Sequence, residues 1–268
     1  MVEIREIESK SLLSRSRIHG VDYSVNPYLG CEHGCVYCYA RFMLNCARSG
    51  ADWGEFAYPK TNAPEVLARE PPRAKRGLVS LSRLPTLSAH RGEIRADEKG
   101  ADRAAGVYFP VSILTKSSLV RRDIDLLQQF DECEVGLTVT TLDERVRRVL
   151  EPRSVPVNER LVTLDTLRKS GIRTYGFVGP LLPFLTGETL EPLIDKLTIV
   201  GVEYIFVDRL NIKYGNWRTI REVLIQHYPQ LLPKYERVLF STSDYFNGLK
   251  LKISELCEKS GLKHRFCY

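Results

Sequence analysis

Cys31, Cys35 and Cys38 fall at C-x3-C-x2-C spacing in the stretch Asn26-Pro27-Tyr28-Leu29-Gly30-Cys31-Glu32-His33-Gly34-Cys35-Val36-Tyr37-Cys38-Tyr39-Ala40-Arg41. Thiolates are soft ligands, and three in one glycine-punctuated loop can hold a soft metal centre and leave one coordination position open. Two kinds of centre fit the residues. A structural zinc site closes four ligands and usually pairs two C-x2-C knuckles. Here Cys35 and Cys38 form one knuckle, Cys31 adds a third ligand, and His33 and Cys46 are the nearest fourth candidates. No second knuckle follows, since Cys257 and Cys267 have nine residues between them. Iron–sulfur clusters take closely spaced thiolates, usually four, so three point to a cubane with one iron open to another ligand. A chance cluster of buried thiols does not account for their crowding in a glycine-rich loop.

The totals suit such a centre in a reducing compartment. The chain has 268 residues, 43% of them apolar and 27% charged, which matches a soluble globular protein with one large core. Seven cysteines, odd in number and partly clustered, argue against a disulfide framework. No apolar run reaches the ~18 residues of a membrane span. Residues 1–6 lack the basic-then-apolar build of a secretory signal. A cytoplasmic location without a membrane partner is expected. The net charge of +6 permits attraction to a polyanion. Arg121-Arg122, Arg145, Arg147-Arg148 and Lys250-Leu251-Lys252 are the groups that could meet phosphates, with solvated surface charge as the plainer reading.

The elements that must position the loop alternate. Ser24 to Gly30 reads as a strand ending at the cysteines, and Cys35 to Cys46 as a helix. Strands are expected at 77–82, 110–115, 134–141, 172–178 and 203–208. Helices are expected at 62–69, 118–130, 143–150, 188–200, 217–227 and 249–259, and from a cap at Asn158 to Lys169 with Gly171 as the stop. Such alternation predicts an α/β fold with a parallel sheet. Roughly six βα units, fewer than the eight of a closed barrel, predict a partial (β/α)6 TIM-type barrel of parallel strands with outer helices.

C-x3-C-x-aromatic-C after the first strand of a βα chain resembles the radical S-adenosylmethionine (radical SAM) superfamily. The string N-P-Y-L-G-C-E-H-G-C-V-Y-C-Y-A-R is similar to its spore-photoproduct-lyase-like (DNA-repair-photolyase-like) branch. The resemblance extends through Gly20-Val21-Asp22-Tyr23-Ser24, residues 110–117, 122–127 and 140–143, and Leu150-Glu151-Pro152-Arg153. It implies an N-terminal polar extension at 1–24, a radical SAM core at 25–235 and a C-terminal extension at 236–268. It further implies a [4Fe–4S] cluster on Cys31, Cys35 and Cys38, with S-adenosylmethionine on the fourth iron. Reductive cleavage would give methionine and a 5′-deoxyadenosyl radical that abstracts hydrogen from a substrate carbon. Tyr37 would lie near the adenine, and Lys116 matches a lysine facing the cofactor in that branch, where a cation suits the methionine carboxylate. Thr138, Thr140 and Arg153, at or after a strand's C-terminal end, are further cofactor candidates, against β-propensity and a solvated charge as plain readings. Cys46, Cys133, Cys257 and Cys267 include a hydrogen-donor candidate by analogy with spore photoproduct lyase, although a buried inert thiol is the plainer reading of each. The implied partners are a reducing electron-donor protein and a substrate, with a nucleic-acid lesion, RNA or a small molecule as its classes. A zinc- or cluster-stabilised nucleic-acid-binding module without catalysis is the alternative from another class.

Residues 83–106 break the pattern. The resemblance calls there for a T-D-P-Y-Q-P-like loop near the cofactor and then an amphipathic helix. The chain instead carries few apolar residues, the interior glycines Gly92 and Gly100, and no stripe to bury. Codons compatible with Leu87 to Ala101, moved by one base, read YQPIEEKYELTRKA, which restores Y-Q-P and a better helix. Compensating single-base shifts in the gene or its sequencing are therefore expected, against a divergent surface insertion. Resequencing codons 82–108 decides it, and an error-free in-frame read ends the idea.

Overall fold

The computed structural model describes residues 2–18, 20–42, 50–70, 75–81, 109–212, 215–241 and 243–268. The residues expected to be out of frame, and Cys46, lie outside these. The described strands are β1 (Ser14–Arg15), β2 (Tyr23–Val25), β3 (Tyr28–Gly30), β4 (Ala57–Pro59), β5 (Val79–Leu81), β6 (Val111–Thr115), β7 (Cys133–Thr138), β8 (Arg173–Leu181), β9 (Tyr204–Arg209) and β10 (Lys263–Phe266). Eight form one sheet in the order β1-β2-β5-β6-β7-β8-β9-β10. Every pairing in it is parallel except β1 with β2. The sheet ends at β1 and β10 without closing, so the fold is the open, TIM-type α/β barrel expected from the alternation. Among the described residues no helix is long and apolar enough to cross a membrane.

Parallel strands covered by helices bury alternate residues outward. Val135, Leu137, Val178, Ile205 and Val207 are fully buried on that face. They join one core cluster with Leu164 and Leu167 of a helix at Val157–Lys169 and with Leu193 and Leu197 of a helix at Leu190–Val200. Each such leucine contributes roughly 1.5–3 kcal/mol by burial. The inward residues are of another kind: Tyr175 stacks on Tyr204 at 5.3 Å, and its hydroxyl lies 3.2 Å from Ser112 Oγ.

Four local expectations need correction. The strand expected over 24–30 divides at Asn26-Pro27, where proline offers no N–H to a ladder. Its second half becomes β3, paired antiparallel with β4 in a separate two-stranded sheet. The helix expected from Cys35 is a short 3₁₀ turn at Tyr39–Phe42, and residues 43–49 lie outside the described ones. Asn158 is not a cap: the helix begins at Val157 behind Pro156, and the Val157 N–H donates to Glu144 Oε1 at 2.7 Å. The tail adds β10 to the sheet, a strand hidden from periodicity because Lys263-His264-Arg265-Phe266 holds one apolar residue.

The first residues lie along the β3–β4 pair through bridges of Glu3 with Phe56 and Ile7 with Lys60. Asn62, at the cap position of the helix at Ala63–Arg69, turns its amide to the Ser9 backbone, accepting at 2.9 Å and donating at 3.0 Å.

Candidate active site

The cysteine loop leaves β3 through Gly30 and is held in place by backbone contacts. The Val36 N–H donates to Leu150 O at 2.9 Å, and the Arg153 N–H donates to His33 O at 3.3 Å. From the other side Thr219 Oγ1 donates to Val36 O at 3.0 Å and Asn216 Nδ2 to Tyr37 O at 2.9 Å. Gly54 packs directly on Gly34: its φ is +97°, and a Cβ there would stand 2.7 Å from Gly34 Cα. Left-handed backbone costs a residue with a Cβ about 1–2 kcal/mol even without a clash. Gly54→Ala is therefore expected to push the loop aside and lower the iron bound on reconstitution, read by iron analysis. The melting temperature of the barrel should fall by only a few degrees.

Cys35 is buried and Cys31 and Cys38 are partly buried. Burial pushes the Cys31 thiol up to about 11 and the Cys35 thiol higher still, and the negative charge of neighbouring sulfurs in the trio adds to both. Such thiols stay protonated unless a bound metal takes up the thiolate charge. The donor set of three thiolates fits an iron–sulfur cluster. Among the described residues no three His, Cys, Asp or Glu side chains gather at the spacing of one metal ion. Cluster thiolates bind separate irons, so a cluster site does not require that spacing.

Beneath the loop lies a buried polar network. Tyr37 donates its hydroxyl to Glu151 Oε1, and Thr140 Oγ1 stands 2.9 Å from the same oxygen and 3.0 Å from Gly179 O. Glu151 is 1% exposed and Arg160 is fully buried. Arg160 donates to Glu151 Oε2 at 2.5 Å, to Ser154 Oγ at 2.6 Å and to the Thr138 and Val155 carbonyls at 2.9 and 3.0 Å. Burial opposes the Glu151 charge, but Arg160, Lys116 and the hydrogen bonds from Tyr37 and Arg160 outweigh it and hold the carboxyl at about 2. Lys116 Nζ sits 5.6 Å from the Tyr37 ring centre. Burial works against its charge too, yet Cys35 and Glu151 raise its pKa overall. His33, held neutral at about 3 by burial and by Lys116 and Arg160, leaves Nε2 buried without a hydrogen-bond partner among the described residues.

The structure thus gathers Tyr37, Lys116 and Thr140 beside the cysteines. Thr138 is buried in β7 and accepts from Arg160 through its carbonyl. Arg153, expected at the cofactor, directs its guanidinium elsewhere, to Gly54 O and to Glu55 Oε1 at 3.0 Å. Sequence reasoning missed Arg160 and Asn216, gave Glu151 no role within the Leu150–Arg153 resemblance, and had His33 only as a fourth-ligand candidate for zinc. Arg160 carried a signal: it lies on the stripe marked by Val157, Leu161, Leu164 and Leu167, where a cation requires a buried partner.

Several basic groups considered for phosphate are engaged. Arg121 pairs with Glu159 at 3.6 Å, Arg122 with Asp123 at 2.9 Å, Arg145 with Asp143 at 3.4 Å and Arg147 with Glu144 at 2.6 Å.

The sequence model of the Radical SAM superfamily matches residues 25–197, a span from β2 through the cysteine loop and the buried network. The chain belongs to the radical SAM superfamily and is one of its enzymes. An uncharacterized protein of Methanocaldococcus jannaschii is 33% identical over 241 residues, covering 85% of this chain and 85% of that protein. The radical SAM Nalpha-GlyT isomerase of Pseudomonas phage M6 is 23% identical over 193 residues, 70% of this chain and 39% of that one. Among solved structures, a spore photoproduct lyase variant with bound AdoMet and dinucleoside spore photoproduct shares the fold. Its TM-score is 0.69 at 12% identity, across 99% of this chain and 81% of that one.

Proposed function

We propose that the chain is a hydrogen-abstracting radical enzyme whose Cys31, Cys35 and Cys38 hold a [4Fe–4S] cluster and whose substrate carries a nucleobase. The observation that carries it is the trio of thiols, Cys35 buried and Cys31 and Cys38 partly buried, fixed above the Tyr37–Glu151–Arg160 network. When bound, the cluster and S-adenosylmethionine would supply reductive cleavage of the sulfonium and a 5′-deoxyadenosyl radical, given an electron from a reducing protein partner. Tyr37, fixed by Glu151, would present one ring face to the adenosyl group. Lys116 would set a cation where a carboxylate binds. Thr138 and Thr140 would line the same wall, while Arg153 would position the loop through Gly54 and His33. The hydrogen bonds of the loop to Leu150 and Thr219 hold it with Cys35 buried. The dinucleoside bound in the structurally similar lyase supports a nucleobase-bearing substrate.

Anaerobic reconstitution tests this reading against a zinc module. A brown protein with about four iron and four sulfide per chain is expected from the thiolate set. A colourless protein with one zinc per chain would contradict it.

A further inference from the structure

The inward faces of β8, β9 and β10 follow from the ladder register, because partners on parallel strands share a face. Tyr175, Tyr204 and Lys263 occupy one rung, and Phe177, Phe206 and Arg265 the next. One step further toward the C-terminal ends stand Gly179, Asp208 and Cys267. The Cys267 N–H continues the ladder to Val207 O at 2.9 Å, and a Cβ on Gly179 would lie 3.3 Å from Asp208 Cβ. His264 and Phe266 point the opposite way, to the helix at Tyr245–Ser260: Ser254 Oγ lies 3.0 Å from His264 Nε2, and Lys250 Nζ is 4.9 Å from the Phe266 ring centre. Lys263 and Arg265 therefore stand on the barrel side, exposed, and neither has an ion pair among the described residues.

This face adjoins the cofactor wall, since Gly179 O is the carbonyl 3.0 Å from Thr140 Oγ1. Phe177 and Phe206 are only half-buried on it, and the absence of a side chain at Gly179 leaves room for the Phe177 ring. Asp208 is also half-buried. Its neighbour Arg209 sends its guanidinium away, over the Tyr268 and Phe246 rings at 5.4 and 5.9 Å. Burial raises the Asp208 carboxyl, against a hydrogen bond from the Arg209 backbone N–H.

We infer that this face binds the substrate as a phosphate-bearing nucleobase: Phe177 and Phe206 form the floor for the planar base, Asp208 accepts from a base N–H, and Arg265 and Lys263 meet the phosphate. Charges on β10 also protect an edge strand from wrong pairing. Edge protection requires neither half-open phenylalanines beside them nor a half-buried carboxylate that has no ion-pair partner among the described residues. Aromatic rings interleaved with cations are the pattern that takes up single-stranded nucleic acid or nucleotides, by stacking and by phosphate contact. The inference rests on the proposed radical function and narrows its substrate class.

The test is fluorescence anisotropy of the reconstituted full-length enzyme with a fluorescein-labelled oligothymidylate, across a salt series. Arg265→Glu is expected to weaken binding about tenfold and to reduce the salt slope by about one unit. Lys250→Glu, an identical charge change on the outer side of β10, is expected to leave it unchanged. Asp208→Ala, which removes the acceptor, should weaken the oligothymidylate but not inorganic polyphosphate. Competition by thymidine monophosphate at equal base concentration would assign the site to a nucleotide, and its failure to an extended strand. Absence of binding by the parent enzyme, or equal losses in Arg265→Glu and Lys250→Glu, would overturn the inference. A preference for an acidic peptide would do the same. S-adenosylmethionine cleavage is measured separately, so failure of the substrate assignment and failure of the radical function are told apart.

Discussion

Glu151→Ala is expected to destabilise the protein by about 3–5 kcal/mol, because it strands a buried arginine without its counter-charge. Arg160 is fully buried, and the Glu151 carboxylate is its sole ion-pair partner among the described residues. The same substitution frees the hydroxyl of Tyr37 and removes an oxygen 2.9 Å from Thr140. Glu151→Gln keeps the shape and one acceptor, so its loss should be smaller. Removing both charges in the pair Glu151→Gln with Arg160→Met should recover part of the stability, since deleting a whole buried ion pair costs less than breaking it. Urea unfolding of the four proteins reads the order directly. A pH series gives an independent check. The Glu151 pKa falls from the ordinary 4.5 to about 2 on folding. Its contribution is therefore complete above about 4.5 and lost as the pH drops through about 2, and Glu151→Gln should flatten that limb of the stability curve.

Replacing any one of Cys31, Cys35 or Cys38 with alanine is expected to give a folded protein that cannot hold the cluster. The loop's position depends on backbone contacts with Leu150, Arg153, Thr219 and Asn216, none of which a thiol supplies. Melting temperatures should therefore stay within a few degrees of the parent, while iron after reconstitution drops close to zero. Cys133→Ala and Cys257→Ala are the contrast. Cys257 is fully buried in the main core, so its loss should lower stability, yet both variants should bind iron like the parent. If iron instead followed Cys133 or Cys257, the thiol assignment would fail.

The barrel was legible because its strands are apolar, β-branched runs and its helices carry stripes, as where Val135 and Leu137 of β7 share a core with Leu164 and Leu167. What stayed hidden had physical causes. β10 carries three charged or polar residues in four and exists through its ladder to β9. Pro27 divides the first strand, an effect that apolar content alone does not show. At the candidate site, the spacing of the three cysteines and the resemblance at Tyr37 and Lys116 named residues that the fold brings together. Glu151 and Arg160 were not among them, because ion-pair partners nine positions apart meet only once the turn after Leu150 folds back under the helix at Val157–Lys169. Arg153 was assigned from its place after a strand end, but a long side chain can reach away from that end, and here it reaches Gly54.

Release of 5′-deoxyadenosine from S-adenosylmethionine by the reconstituted, dithionite-reduced protein is the decisive measurement of radical chemistry at the three cysteines. Stoichiometric release or turnover is expected from the parent, with none from the Cys31→Ala, Cys35→Ala or Cys38→Ala variants. Cluster-loaded parent protein that leaves S-adenosylmethionine intact under the same conditions would contradict it.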